Sequence, residues 1–166
     1  MATKAAVPVE EYLQASYPNP DPEYRDGEIV ERSVPDYKHG ATQSNLAAFF
    51  RQHRTRHRLF VAVETRLRVG PRRFMIPDVT VFHPEPPAER FPSSPPLVVI
   101  EVLSDDDPMS SVREKLEEYR AWGVRHVWVV DPQGHRLYEC DSGLHEVDAL
   151  RLPDLGLEVT PTDAFD

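Results

Sequence analysis

Apolar residues recur along this chain at two periods, near 3.6 and near 2, and the switches between them mark its elements. Pro8-Val9-Glu10-Glu11-Tyr12-Leu13 predicts a short helix with proline in its first turn. Tyr24 to Glu31 predicts a hairpin turned by Asp26-Gly27. Leu46, Phe49 and Phe50 recur at helical spacing and predict a helix from Lys38 to Arg54. Residues 59–69 predict one strand, with Val63, Thr65, Leu67 and Val69 on one face and Glu64, Arg66 and Arg68 on the other. After Gly70-Pro71 comes a strand over 74–82, pairing from near Asp78 because Pro77 cannot donate to a ladder.

Residues 83–96 hold six prolines and predict a surface loop. Leu97 to Leu103 predicts a strand buried on both faces. A helix over Ser111–Trp122 follows, with Ser111 and Glu114 as a capping box and Gly123 closing its far end. Strands over 125–130 and 136–140 flank the turn Asp131-Pro132-Gln133-Gly134, and the tail reads as short strand and loop. The order predicts an α/β fold with a mixed β-sheet flanked by helices.

Three side chains break these patterns. Glu101 is the one polar residue in the apolar run 97–103, where an ionised carboxylate is costly unless a cation or strong donors neutralise it. Lys115 falls within the apolar stripe of Val112, Leu116, Tyr119 and Trp122, on the helix that directly follows the Glu101 strand. Either its amine reaches the sheet, or its stem covers the aromatics while the amine stays wet. Asp78 opens a strand expected to neighbour that of Glu101. Two carboxylates at one end of adjacent strands can share a hard divalent cation such as Mg²⁺, and a nearby lysine can serve an attacking water. Alone, Asp78 also reads as an ordinary strand-start aspartate.

Composition narrows the setting. A chain of 166 residues suits a single domain over 1–166, and no apolar run is long enough for a membrane span. The first eight residues lack the apolar core of a leader, and Cys140 is the only cysteine, so a reducing, cytoplasmic location is expected. The net charge of −9 hides an asymmetry: residues 1–74 carry 12 Lys/Arg against 9 Asp/Glu, and residues 75–166 carry 7 against 19. Arg54, Arg58, Arg66, Arg68, Arg72 and Arg73 belong to the basic part and could lie along a polyanion, or be a solvated helix end and strand edge.

Pro77-Asp78, Glu101-Val102-Leu103 and Lys115 together resemble the PD-(D/E)XK nuclease superfamily. The usual lysine position, two residues after the acid, is Leu103 here. Asp26-Gly27-Glu28-Ile29-Val30, His39, Pro77-Asp78-Val79, the strand 97–104, Arg113 to Tyr119 and Gly123 to Pro132 resemble its Uma2 branch of restriction-endonuclease-like proteins, where the lysine has moved to the next helix. An aspartate common before that lysine is Ser111 here.

The resemblance implies a restriction-endonuclease-like core and an endonuclease dependent on Mg²⁺ or Mn²⁺. It also implies nucleic acid, DNA foremost, as substrate, and a homodimer. Asp78, Glu101 and Lys115 would be catalytic, with metal held by Asp78, Glu101 and the Val102 carbonyl. Glu28 would add an acid through a water or be a plain hairpin glutamate. His39 would contact a phosphate or the metal's water, or simply cap and pack. The rival expectations are a catalytically inactive nuclease-fold binding or assembly module, and a purely structural Glu101–Lys115 ion pair.

Overall fold

In the computed structural model, which describes residues 5–166, the chain opens with α1 (Val9–Gln14) and the hairpin β1 (Glu23–Arg25) and β2 (Glu28–Val30). The start of the stretch read as leaderless, residues 1–4, lies outside the described residues. Asp26 (φ 48°) and Gly27 (φ 96°) supply the two left-handed residues that a tight hairpin turn needs. A Cβ on Gly27 would stand 2.7 Å from that of Ala6, so glycine also lets the N-terminal segment lie across the turn, where the Val7 N–H donates to the Gly27 carbonyl. α2 (Tyr37–Gln52) is capped by Asp36, whose carboxylate accepts the His39 N–H at 2.8 Å, and the one-turn α3 (Arg54–His57) follows it.

The expected strand over 59–69 is two strands in different sheets. β3 (Phe60–Val63) ends where Glu64 enters the left-handed region, at φ 50°, and β4 (Leu67–Gly70) begins three residues later. The expected strand 74–82 divides likewise into β5 (Arg73–Met75) and β6 (Val79–Phe82), on either side of Pro77. Pro77 pairs in neither ladder: Phe74 and Met75, expected to precede the paired segment, pair with β1 and β4 in the small sheet, and pairing with β7 begins at Val79. The alternation of Val63, Thr65, Leu67 and Val69 carries across the first break and hides it, and across the second every residue from Phe74 to Phe82 is buried, so burial does not mark it either.

The remaining elements are β7 (Val98–Val102), α4 (Met109–Trp122), β8 (His126–Asp131), β9 (Arg136–Cys140), β10 (Leu144–Val147), β11 (Leu150–Leu152), β12 (Leu157–Val159) and α5 (Pro161–Phe165). A four-stranded sheet runs β2-β1-β5-β4, and a six-stranded one β10-β9-β8-β7-β6-β3. The larger is mixed: β7 and β8 are parallel, joined across the face by α4, and its other pairs are antiparallel.

Alternation along β7 sorts the core. Val98, Ile100 and Val102 face Leu46 and Phe50 of α2 and Ala164 of α5. Val99 faces Val112, Leu116 and Tyr119 of α4, and Glu101 points to that same side. Truncating a side chain such as Ile100 to alanine would cost about 2–5 kcal/mol.

Two further expectations change. α4 starts at Met109 behind Pro108, without a side-chain cap, so Ser111 lies inside its first turn and Glu114 pairs instead with Arg25 at 3.1 Å. The tail, read as strand and loop, ends in α5, whose capping box joins Thr160 and Asp163. Among the described residues no helix is long and apolar enough to cross a membrane.

Candidate active site

The chain passes between the sheets three times, once through α2 and α3 and twice by short turns at 64–66 and 76–78, and both short crossings occur at one end of the large sheet. Antiparallel pairing of Val79 with Ile100 sets Asp78 opposite Glu101 one step past the paired residues. There Asp78 is buried, and its Oδ2 accepts the Val102 N–H at 2.7 Å, a bond that a longer β6 would have made with a carbonyl. Within a strand a residue's N–H and C=O share an edge, so the Val102 carbonyl faces the same way as Asp78. The Oδ1 of Asp78 is 3.2 Å from His39 Nε2 and 3.5 Å from Arg32 Nη2.

Glu101 is 8% exposed and accepts the Tyr119 hydroxyl at 2.8 Å and the Lys115 ammonium at 3.0 Å, both on Oε1. Lys115 and Tyr119 stand one helical turn apart on the inner stripe of α4, so they converge on one oxygen. Of the two readings of Lys115, the inward one holds. Its amine also lies 3.1 Å from Glu23 Oε1, an acid 2% exposed that accepts the Ile76 N–H at 2.8 Å. Arg73 stands 3.6 Å from Glu23 and is gripped by Glu118 at 2.7 Å, which ties the small sheet to α4.

Burial pushes the Glu101 carboxyl up to about 7 against the pull of Lys115, with Asp78 and Glu23 adding to the rise. Lys115 is raised as well: burial disfavours its charge, but Glu101 and Glu23 outweigh burial. Burial also opposes ionisation of Asp78, yet the bond and charge of His39, with the Val102 N–H and Arg32, hold it below the usual carboxylate range. His39 is raised by the same bond, against its own burial.

These groups line a cavity of about 240 Å³ bounded by β1, the 31–33 segment, β7, the 103–108 loop and the first turns of α4. Six carboxylates line it (Glu23, Glu31, Asp78, Glu101, Asp107 and Glu114) against Arg25, Arg32, Arg73 and Lys115. Ser33 Oγ donates to Asp107 at 2.6 Å across the mouth. Among the described residues no three His, Cys, Asp or Glu form a ready metal cage. The oxygens of Asp78, Glu101 and the Val102 carbonyl are the donors a hard cation would find.

Asp78, Glu101, Val102, Lys115, His39 and Arg73 thus come together. The other expected residues lie outside the lining. Glu28 sits exposed at the turn end of β2 opposite Arg25, and the hairpin acid that reaches the cavity is Glu23, two residues along the same face. Arg66 stacks over Tyr12, 4.8 Å from the ring centroid, and pairs with Asp21 at 3.0 Å. Arg68 lies over Phe74, Arg72 stands 3.7 Å from Asp26, Arg58 pairs with Glu85, and Arg54 covers Phe60.

Glu23, Arg32 and Tyr119 are the site residues that pattern reading missed. Only Tyr119 carried a signal, its spacing of four from Lys115.

A protein family, Uma2, described as "Putative restriction endonuclease", matches residues 9–164. Among solved structures, a protein from Anabaena variabilis described as a putative nuclease belonging to DUF820 is similar in fold. Its TM-score is 0.81 at 22% identity, over 94% of this chain and 96% of the other. No curated protein matches.

Proposed function

Since the chain belongs to the Uma2 family, we propose that it is a divalent-metal-dependent endonuclease that hydrolyses phosphodiester bonds of nucleic acid, DNA foremost, in the cavity described above. The observation that carries this reading is the meeting of Asp78, Glu101 and Lys115 in one acidic cavity.

A divalent cation fits the donors present. The lining has more carboxylates than cations, and burial, opposed by Lys115 and reinforced by Asp78 and Glu23, makes Glu101 ionise reluctantly, so a further cation would relieve it. Asp78, Glu101 and the Val102 carbonyl would hold Mg²⁺ or Mn²⁺, a small oxygen set that leaves room for water and substrate phosphate. When bound, the ion supplies positive charge to the phosphoryl oxygens and acidifies water.

The chain's own groups do the rest. A lysine raised by two carboxylates keeps its protons, so Lys115 donates: it orients a water and offsets charge growing on the phosphate. Tyr119 and Lys115 fix the rotamer of Glu101. His39 and Arg32 keep Asp78 ionised. A homodimer belongs to the same proposal and is checked by the mass from light scattering.

The test is cleavage of plasmid and oligonucleotide DNA with Mg²⁺ or Mn²⁺. Asp78→Asn, which keeps an acceptor for the Val102 N–H, and Lys115→Ala should each lower the rate at least about a hundredfold. Cleavage indifferent to both would defeat the reading.

One observation favours a second reading, a catalytically inactive binding or assembly module. Arg32 stands against both Glu64 (2.5 Å) and Asp78 (3.5 Å), a built-in cation where an ion would sit. That reading expects no hydrolysis, and no rise in melting temperature with Mg²⁺ or Mn²⁺.

A further inference from the structure

α2 leads away from the cavity. His39 touches Asp78 in its first turn, and about 20 Å further along the axis the helix ends in the run Arg51-Gln52-His53-Arg54-Thr55-Arg56-His57-Arg58. Four arginines and two histidines stand there without one acid, in a chain of net charge −9. The pairing of β3 with β6 locates the run: Val63 lies opposite Val79, beside Asp78, whereas Phe60, which follows the run, lies opposite Phe82 at the far end of the sheet.

A depression of about 290 Å³ opens at that corner. Arg51, Arg54 and Arg90 line it, with Phe60 and the prolines of the 83–96 loop as its apolar wall. Among the described residues, none of these three arginines has a carboxylate within 4.0 Å, while Arg58 beside them is paired with Glu85. The one acid in the lining, Glu89, is turned onto the Ser93 N–H and hydroxyl at 2.9 and 2.6 Å. Arg54 is set in place over the Phe60 ring, 5.3 Å from its centroid. A helix C-terminus attracts cations and so accounts for Arg51. It does not account for Arg90, which arrives from a separate loop.

We infer that this corner is a second site, which grips the phosphate backbone of a nucleic acid about 20 Å from the cavity and reads no bases. The inference rests on the nucleic-acid reading above. Planar guanidinium groups match phosphate oxygens in pairs, and of the two aromatic rings in the lining Phe60 is covered by Arg54 and Phe82 is buried, so neither offers bases an open face. A duplex leaving the cavity reaches the corner after about six base pairs, at about 3.4 Å each. Substrate length therefore decides whether the corner contributes.

The experiment measures fluorescence anisotropy of a labelled 20-base-pair duplex in EDTA, so that binding is read without cleavage, between 50 and 200 mM salt. Wild type is compared with R51Q/R54Q/R90Q, and with R113Q, which removes an exposed arginine on α4. The triple variant should bind at least tenfold more weakly at 50 mM salt. Its plot of log affinity against log salt should be shallower by about 2–3, near 0.9 for each phosphate that is no longer neutralised. R113Q should change affinity less than twofold. In Mg²⁺ the triple variant should raise KM for the long duplex, leave kcat alone, and cut a four-nucleotide substrate as wild type does.

Unchanged affinity and slope, or an equal loss in R113Q, overturns the inference. So does a triple variant that still binds the duplex but no longer binds vesicles of anionic lipid. A wild type that grips the duplex through these arginines and never cuts it defeats the nuclease reading alone.

Discussion

Replacing Lys115 with methionine keeps the length of the side chain and removes its charge. In the structure that ammonium is 3.0 Å from Glu101 and 3.1 Å from Glu23, two acids buried on different sheets. Removing one partner of a buried ion pair costs about 3–5 kcal/mol. The cavity admits some water to the lysine, which is 22% exposed, so the lower half of that range is expected. For a chain of this size each kcal/mol moves the melting temperature by about 2–4 °C, giving a fall of roughly 6–16 °C.

Urea unfolding in EDTA measures the cost, and a double-mutant cycle with Glu23→Gln identifies its source. If Lys115 offsets the Glu23 charge, Glu23→Gln harms the Lys115→Met background less than wild type, by about 0.5–3 kcal/mol. A loss under about 1 kcal/mol for Lys115→Met, or additivity within about 0.3 kcal/mol, would refute the convergence on which the site is built.

Two other outcomes can be checked with the same preparations. Arg32→Met removes the guanidinium 3.5 Å from Asp78, and should tighten Mn²⁺ binding about tenfold, the equivalent of roughly 1.4 kcal/mol; melting curves against Mn²⁺ report it, and an unchanged or weaker response contradicts it. Glu118 is held below its ordinary value of 4.5 by Arg73 and Arg25, against its burial. Its ionised form therefore stabilises the fold above pH 4.5, and that contribution is lost as pH falls through the lower folded value. Glu118→Gln should cost about 1–2 kcal/mol at pH 7, allowing for its partial exposure. The gap in urea unfolding should narrow as pH falls below 4.5, and a gap constant with pH would be the contrary result.

The parts of the site that the chain announces are those that offend a local pattern. Glu101 interrupts an apolar run, Lys115 occupies an apolar stripe, and Asp78 follows a proline that stops a ladder. Each conflict is local, so each is visible in one dimension, and the family resemblance ordered them. Glu23 and Arg32 offend nothing: one begins a short polar hairpin and the other follows it, and only folding the small sheet onto α4 brings them inside. The strand breaks at Glu64 and Pro77 stayed hidden for a related reason. Sequence alternation runs through Glu64, and the residues on both sides of Pro77 are buried throughout, so the pattern persists while the hydrogen-bond partners change. The capping box assigned to Ser111 and Glu114 failed because Pro108 begins the helix earlier and Arg25 offers Glu114 a stronger partner.

Two of the three covalent joins between the sheets are short turns, at 64–66 and 76–78, and the ion pairs of Lys115 with Glu23 and of Arg73 and Arg25 with Glu118 fasten the small sheet to α4. The Lys115 ammonium already bridges Glu23 and Glu101, so whatever parts the small sheet from the large one must break that bridge, and the same rupture dismantles the cavity.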